Sequence, residues 1–182
     1  ITWIEFYNLI SKVFKKKSIR NSFFKVLYKS LSLLYLSSLV FLIFSIESNY
    51  QNLKVYLFYS LLVAILSDIG GMVFGKTFKG KKLTKISPNK TISGSCGSFI
   101  FSLSLIPLFY FKLFNNDLLP LILITLIISL ASQLGDLFIS YIKRKAKVKN
   151  TSDILPGHGG FLDRVDGIIF AIPIGLLLFK FF

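Results

Sequence analysis

Apolar residues fall into five long stretches separated by short polar segments: about Ser30–Ile46, Val55–Phe74, Ser95–Leu113, Leu118–Ile142 and Gly167–Phe182. A helix needs roughly 20 residues to cross a bilayer, with a range of about 17–25. Backbone exposed to lipid must satisfy its own hydrogen bonds, which leaves helices as the natural form for such stretches. The pattern predicts an all-α, polytopic membrane bundle of about five transmembrane helices. The last stretch is short and is expected to sit thin or tilted. The segment ITWIEFYNLISKVF at the start differs. Trp3, Phe6, Leu9, Ile10, Val13 and Phe14 recur at near-helical spacing among polar residues. This predicts an amphipathic helix, either lying in the membrane interface ahead of a basic anchor or packed on the bundle. No internal repeat is visible, so residues 1–182 read as one membrane-embedded domain, with 1–29 an interfacial basic segment.

Charge changes the picture by giving the bundle a direction. The chain is 53% hydrophobic yet carries a net charge of +14. Lys12, Lys15, Lys16, Lys17, Arg20, Lys25 and Lys29 precede the first stretch, whereas the next connection holds only Lys54. Lys76, Lys79, Lys81, Lys82, Lys85 and Lys90 follow the second stretch, and the Asn115-Asn116-Asp117 turn has no basic residue. Lys143, Arg144, Lys145, Lys147, Lys149 and Arg164 follow the fourth. This alternation places the N-terminus and both lysine-rich loops on the cytoplasmic side, as expected for a bacterial inner-membrane protein. Basic residues so placed suit membrane lipid head groups and phosphate substrates. No nucleic-acid motif accompanies them, so nucleic acid is not an expected partner. The single cysteine, Cys96, excludes an intrachain disulfide and reads as a small packing residue. The chain opens at Ile1 rather than Met, which suggests a fragment or a processed product, and no cleavable signal is evident.

Eight acidic residues stand against this positive charge. Glu5, Glu47 and Asp117 read as surface charges and Asp153 as a loop residue. Asp68 and Asp136 lie inside apolar stretches near their cytoplasmic ends, where an ionised carboxylate is costly and is usually paired or functional. Asp163 and Asp166 open the last stretch on one helix face. The topology brings all four to similar depth. Carboxylates facing a basic loop are what a magnesium–phosphate site requires, so Asp68, Asp136, Asp163 and Asp166 are candidate metal ligands. Simple pairing with a nearby Lys or Arg is the plainer alternative, strongest for Asp68.

Two loops carry candidate phosphate chemistry. Pro156-Gly157-His158-Gly159-Gly160 gives backbone room for a phosphate ahead of a helix N-terminus, and His158 is the only histidine. Arg164 has the planar fork that clamps a phosphate. In the segment Lys76–Gly94, Ser87, Lys90 and Thr91 place donors around Pro88. Lys79, Lys81 and Lys82 read as a solvated face.

These motifs together resemble the phosphatidate cytidylyltransferases. Asp68 with Phe74-Gly75-Lys76 resembles the family's Asp before an FGK-like turn, and SPNKTISG resembles its SPKKTWEG loop. The long C-terminal signature is matched by Ser140, Ile142, Lys143, Arg144, Lys149, Ser152, PGHGG, Asp163, Arg164 and Asp166. Asn150, Ser93 and Ile92 depart from the pattern, and the family's additional N-terminal helices have no counterpart in this sequence. The resemblance implies a magnesium-dependent, commonly homodimeric membrane enzyme that joins CTP to phosphatidate and releases pyrophosphate. It implies Asp136 and Asp163 as the leading metal ligands, and Lys143, Arg144, His158 and Arg164 on the nucleotide phosphates. Gly159 and Gly160 belong to the same expected nucleotide loop. Three other readings remain at this point: a CTP-dependent lipid kinase of the dolichol-kinase type, a cation or proton transporter using Asp68 and Asp136, and an inactive paralogue.

Overall fold

A computed structural model describes residues 1–15, 18–49, 51–113, 118–157 and 159–181. Seven helices follow one another: α1 (Thr2–Val13), α2 (Ile19–Asn49), α3 (Gln51–Phe78), α4 (Ile92–Leu103), α5 (Ile106–Leu113), α6 (Leu118–Lys145) and α7 (Leu162–Phe181). Among the described residues the only bridges are isolated ones, Lys82 with Thr91 and Leu155 with Gly159. The all-helical expectation therefore holds.

Among the described residues, four segments are long and apolar enough to cross a membrane: Ile19–Ser45, Leu53–Phe78, Ile92–Tyr110 and Leu118–Lys145. The fifth expected span forms a helix, α7, but its first turns hold Asp163, Arg164 and Asp166 and it does not join that set. The first span starts well before Ser30, because the apolar pattern of α2 already begins at Ile19. The third is divided by a turn at Ser104–Leu105 into α4 and α5.

Small residues set the packing around the centre of the bundle. Gly70, Gly71 and Gly75 of α3 lie against Gly94 and Gly97 of α4. A Cβ at Gly70 would stand 2.7 Å from the Phe101 Cβ, and one at Gly97 would strike the Phe74 ring. Such small-residue faces let membrane helices approach closely, where solvent-driven burial is lacking. Buried hydroxyls join α3 to α6. The Tyr59 hydroxyl lies 2.5 Å from Thr125 Oγ1, and Ser67 Oγ lies 3.0 Å from Ser129 Oγ. Ser98 of α4 donates to the Ser67 carbonyl at 2.6 Å. The apolar core beside this seam contains Tyr59, Val63, Ile124, Ile128 and Ala171.

Two further glycines bring α7 onto α6 at the polar end. A Cβ at Gly135 would lie 2.9 Å from the Asp166 carbonyl oxygen, and one at Gly167 would collide with Ser132 Oγ. Asp166 is thereby placed beside the turn of α6 that carries Asp136. Helix α1 packs rather than floats. Its Leu9 and Ile10 are buried with Ile139, Ile142 and Leu162, while Ile4 and Tyr7 stay exposed on the other side. Of the two arrangements open for this helix, its inner face takes the packed one.

Candidate active site at the polar end of the bundle

The turn between α3 and α4 folds back on itself. Leu83 N–H donates to the Lys90 carbonyl at 2.8 Å, and Lys90 N–H donates to the Ser87 carbonyl at 3.1 Å. Thr91 then caps α4, its Oγ1 accepting from Gly94 N–H at 3.0 Å. Capping of this kind satisfies one of the helix's orphan donors. Ser93, which departs from the family pattern, lies with its Oγ 3.0 Å from Thr91 Oγ1 and accepts from Gly80 N–H at 3.3 Å. The hydroxyl thus serves the turn. Ile92 is exposed and supplies no comparable contact.

This turn closes one side of a cavity of about 560 Å³ lined by α3, α4 and α6. Asp68, Asp136, Lys76, Ser87, Lys90 and Thr91 are among its walls. Lys90 Nζ forms an ion pair with Asp136 Oδ2, and Ser140 Oγ donates to the other oxygen at 3.3 Å. Lys90 also acts electrostatically on Asp68. The pairing alternative, expected to be strongest for Asp68, is thus realised at Asp136, and among the described residues Asp68 has no ion pair. Lys79, Lys81 and Lys82 are exposed.

A second polar cluster lies between the ends of α6 and α7. Lys143, only 9% exposed, donates to Asp163 Oδ1 at 2.7 Å. Asp163 Oδ2 accepts from Thr151 N–H at 2.9 Å and Gly160 N–H at 2.9 Å, and lies 3.0 Å from Thr151 Oγ1, whose one hydrogen is shared with Glu5. Both Asp163 oxygens are taken by protein donors. Gly159 adopts φ +83, and a Cβ there would lie 2.9 Å from Asp163 Oδ2 and 3.3 Å from the Asn150 side chain. The glycine is needed on both counts, since a positive φ strains other residues. Asn150 itself sits at the surface beside this turn.

Asp166 connects the two clusters. It is buried and lies close enough to Asp136, Asp68 and Lys143 for their charges to act on it. One turn before Asp136, Ser132 Oγ is buried without a hydrogen-bond partner among the described residues. Asp68, Asp136 and Asp166 offer oxygen ligands only, the donor chemistry of a hard cation. Among the described residues, no group of three or more acidic, His or Cys side chains is arranged as a ready-made metal cage. An ion sharing its ligands with substrate phosphates needs no such cage, so the donor set fits magnesium in that form.

The remaining predicted residues are placed as follows. Arg144 donates from Nε to the Ile86 carbonyl at 3.3 Å and from Nη1 to Val148 at 3.5 Å, tying α6 to the α3–α4 turn. Arg164 occupies the exposed first turn of α7. Gly160 is buried beneath Thr151. His158 and Asp117 lie outside the described residues, as does the side chain of Glu47.

Glu5 corrects the sequence reading. Expected as a surface charge, it is 1% exposed and accepts hydrogen bonds from residues on both sides of the PGHGG segment. Its Oε1 accepts from Ser152 Oγ at 2.5 Å and Phe161 N–H at 3.0 Å. Its Oε2 accepts from Leu162 N–H at 2.6 Å and Thr151 Oγ1 at 3.1 Å. Burial alone would raise the Glu5 pKa, but these four donors outweigh it and hold the carboxyl below its ordinary value. One signal was available in the sequence: a lone acid on a helix otherwise apolar on that side.

The family model described as the cytidylyltransferase family matches residues 1–182. A phosphatidate cytidylyltransferase of Staphylococcus haemolyticus is 46% identical over 121 residues, covering 65% of this chain and 46% of that protein. The Staphylococcus aureus (strain COL) protein of the same name is 45% identical over 134 residues, covering 72% and 51%. That of Rickettsia typhi is 41% identical over 146 residues, covering 75% and 62%. The chain spans about half the length of the curated relatives it matches. The match over all 182 residues and the likeness to these relatives agree with the motifs at the polar end of the bundle, and the chain belongs to the cytidylyltransferase family.

Proposed function

We propose that this chain transfers the cytidylyl group of CTP to phosphatidate, giving CDP-diacylglycerol and pyrophosphate. The observation that carries the reading is the cavity that joins Asp68 and Asp136 to the Ser87–Thr91 turn, within a chain of this family. The same membership favours it over the lipid-kinase and transporter readings, and the assay below separates it from an inactive paralogue. A phosphatidate phosphate oxygen attacks the α-phosphorus of CTP in line. The new O–P bond forms as the bond from the α-phosphorus to the β-phosphate oxygen breaks, and pyrophosphate carries that electron pair away. No covalent protein intermediate is required, so the protein contributes positioning and charge.

Asp68, Asp136 and Asp166 would hold magnesium. Magnesium, when bound, neutralises phosphate charge and polarises the phosphoryl group under attack. Lys90 and Ser87 are suited to the nucleotide phosphates from the turn side and Arg164 from the α7 side; the resemblance adds His158 to this set. Lys143 and Asp163 hold the α6–α7 junction in register. Assay of the purified protein with CTP and phosphatidate tests the reading. CDP-diacylglycerol and pyrophosphate should appear in equal amounts, and a magnesium chelator should stop both. A chelator-insensitive reaction would remove the metal from the account.

The site is proposed to face the cytoplasm of a bacterial inner membrane, among anionic lipids, in a homodimer. Orientation can be read by cysteine labelling in a Cys96→Ser background. An external reagent should reach Lys54→Cys but neither Lys81→Cys nor Lys147→Cys. External labelling at position 81 or 147 would invert the topology. Cross-linking in native membranes should give a two-chain product, and a purely monomeric pattern would oppose the dimer.

A further inference from the structure

We infer that Glu5 is a positioning residue for nucleotide: it clamps the segment Thr151–Leu162 from α1 and so fixes where the loop meets the CTP phosphates. The kinetic part of this inference rests on the cytidylyl-transfer reading, whereas the structural part does not. Glu5 reaches across 157 positions of sequence to Leu162 N–H. It also holds Phe161 N–H, and both groups belong to the start of α7. A helix N-terminus has backbone donors that need acceptors, and a carboxylate answers both their hydrogen bonding and the helix dipole. Glu5 thus acts as an N-terminal cap delivered from another helix.

The clamp and the Asp163 cluster share parts. Thr151 Oγ1 donates to Glu5 Oε2 at 3.1 Å and lies 3.0 Å from Asp163 Oδ2 as well. A Cβ at Gly160 would come within 2.8 Å of both Glu5 oxygens and would clash with Thr151 Oγ1. Glycine at 160 lets the loop lie flat on the carboxylate. Through Asp163 the same loop reaches Lys143 of α6. Loosening Glu5 therefore frees the loop ahead of Arg164 without touching the cavity wall of Asp68 and Asp136.

Glu5→Gln keeps the shape but turns one acceptor into a donor facing backbone N–H groups and hydroxyls that need an acceptor. In the reconstituted full chain, hydrogen exchange over residues 151–162 should rise at least ~10-fold, with α3 and the centre of α6 unchanged, since local opening reports local stability. Unchanged exchange in that segment overturns the inference whatever reaction the protein catalyses. Should Glu5→Gln loosen every helix, Ser152→Ala takes its place, because it removes one donor to Glu5; an increase confined to 151–162 supports the clamp, and none overturns it. In the CTP and phosphatidate assay, Glu5→Gln should lower kcat at least ~10-fold and raise the KM for CTP ~3-fold or more, leaving the KM for phosphatidate unchanged. Glu5→Asp should recover part of both. A fall in kcat with the KM for CTP unchanged would mean loss of folded enzyme only and would overturn the positioning role. Failure of the parent protein to make CDP-diacylglycerol would count against the proposed reaction and leave the exchange result to decide Glu5.

Discussion

Asp136→Asn should reduce turnover by at least ~10³-fold, about 4 kcal/mol of transition-state stabilisation, while the protein stays folded. The two expectations come from the same charge. Asp136 lines the cavity, pairs with Lys90 and lies near Asp68 and Asp166. Removing its charge takes away a proposed magnesium ligand and the partner that holds Lys90 over the site. It also relieves repulsion among neighbouring carboxylates, which offsets the loss of the partly exposed Lys90 ion pair, so the fold should be kept. The neutral amide is nearly the same size and keeps an acceptor for Ser140. Asp163→Asn should behave differently. That carboxylate accepts bonds from Lys143, Thr151 and Gly160, so both activity and thermal stability should fall. Rates and unfolding midpoints of both variants in one detergent make the comparison. Turnover of Asp136→Asn within ~10-fold of the parent would remove Asp136 from the reacting centre.

Lys143→Gln should be the most damaging single change to stability, at about 3–5 kcal/mol, the usual cost of stripping one partner from a buried ion pair. Lys143 is 11% and Asp163 10% exposed at the side chain, and they meet at 2.7 Å. Lys143 also offsets Asp166. Without it Asp163 loses its ion-pair partner and Asp166 loses the positive charge of Lys143. Turnover should be lost along with stability. The double variant Lys143→Gln with Asp163→Asn should recover part of the stability, because the stranded charge is gone, yet none of the turnover. A double-mutant cycle read by thermal unfolding and by rate separates the two effects. If Lys143→Gln unfolds at the parent's midpoint, the α6–α7 junction does not depend on this pair.

What the sequence disclosed follows the range of each interaction. The apolar stretches showed the helices, since a bilayer imposes a length on each one. The alternation of lysines, together with carboxylates buried in apolar helices, pointed to a polar end shared by Asp68, Asp136 and Asp166. The structure puts Asp68 and Asp136 on one cavity, pairs Lys90 with Asp136, and leaves Asp166 within electrostatic reach of both carboxylates. Other features depend on contacts that no local pattern records. Glu5 lies in α1 yet caps α7; its place on an otherwise apolar helix side hinted at burial, but no local pattern names donors 156 positions away. The sequence offered Asp163 and Asp136 alike as metal ligands. One is enclosed by loop donors while the other faces a cavity, a difference set by how the 151–160 loop folds back. The division at Ser104–Leu105 interrupts an apolar run whose composition is continuous across it. The charged opening of α7 is legible as a motif but blurs its standing as a span.

The fate of labelled phosphate shows whether the cavity of Asp68 and Asp136 serves cytidylyl transfer to phosphatidate. The purified protein is given phosphatidate, magnesium and CTP labelled at either its α- or its γ-phosphate. The account predicts that α-label enters the lipid fraction as CDP-diacylglycerol and that γ-label leaves as pyrophosphate, with both transfers lost in Asp136→Asn. Passage of γ-label into lipid would mark a kinase, and α-label transfer that survives in Asp136→Asn would place the chemistry elsewhere in the molecule.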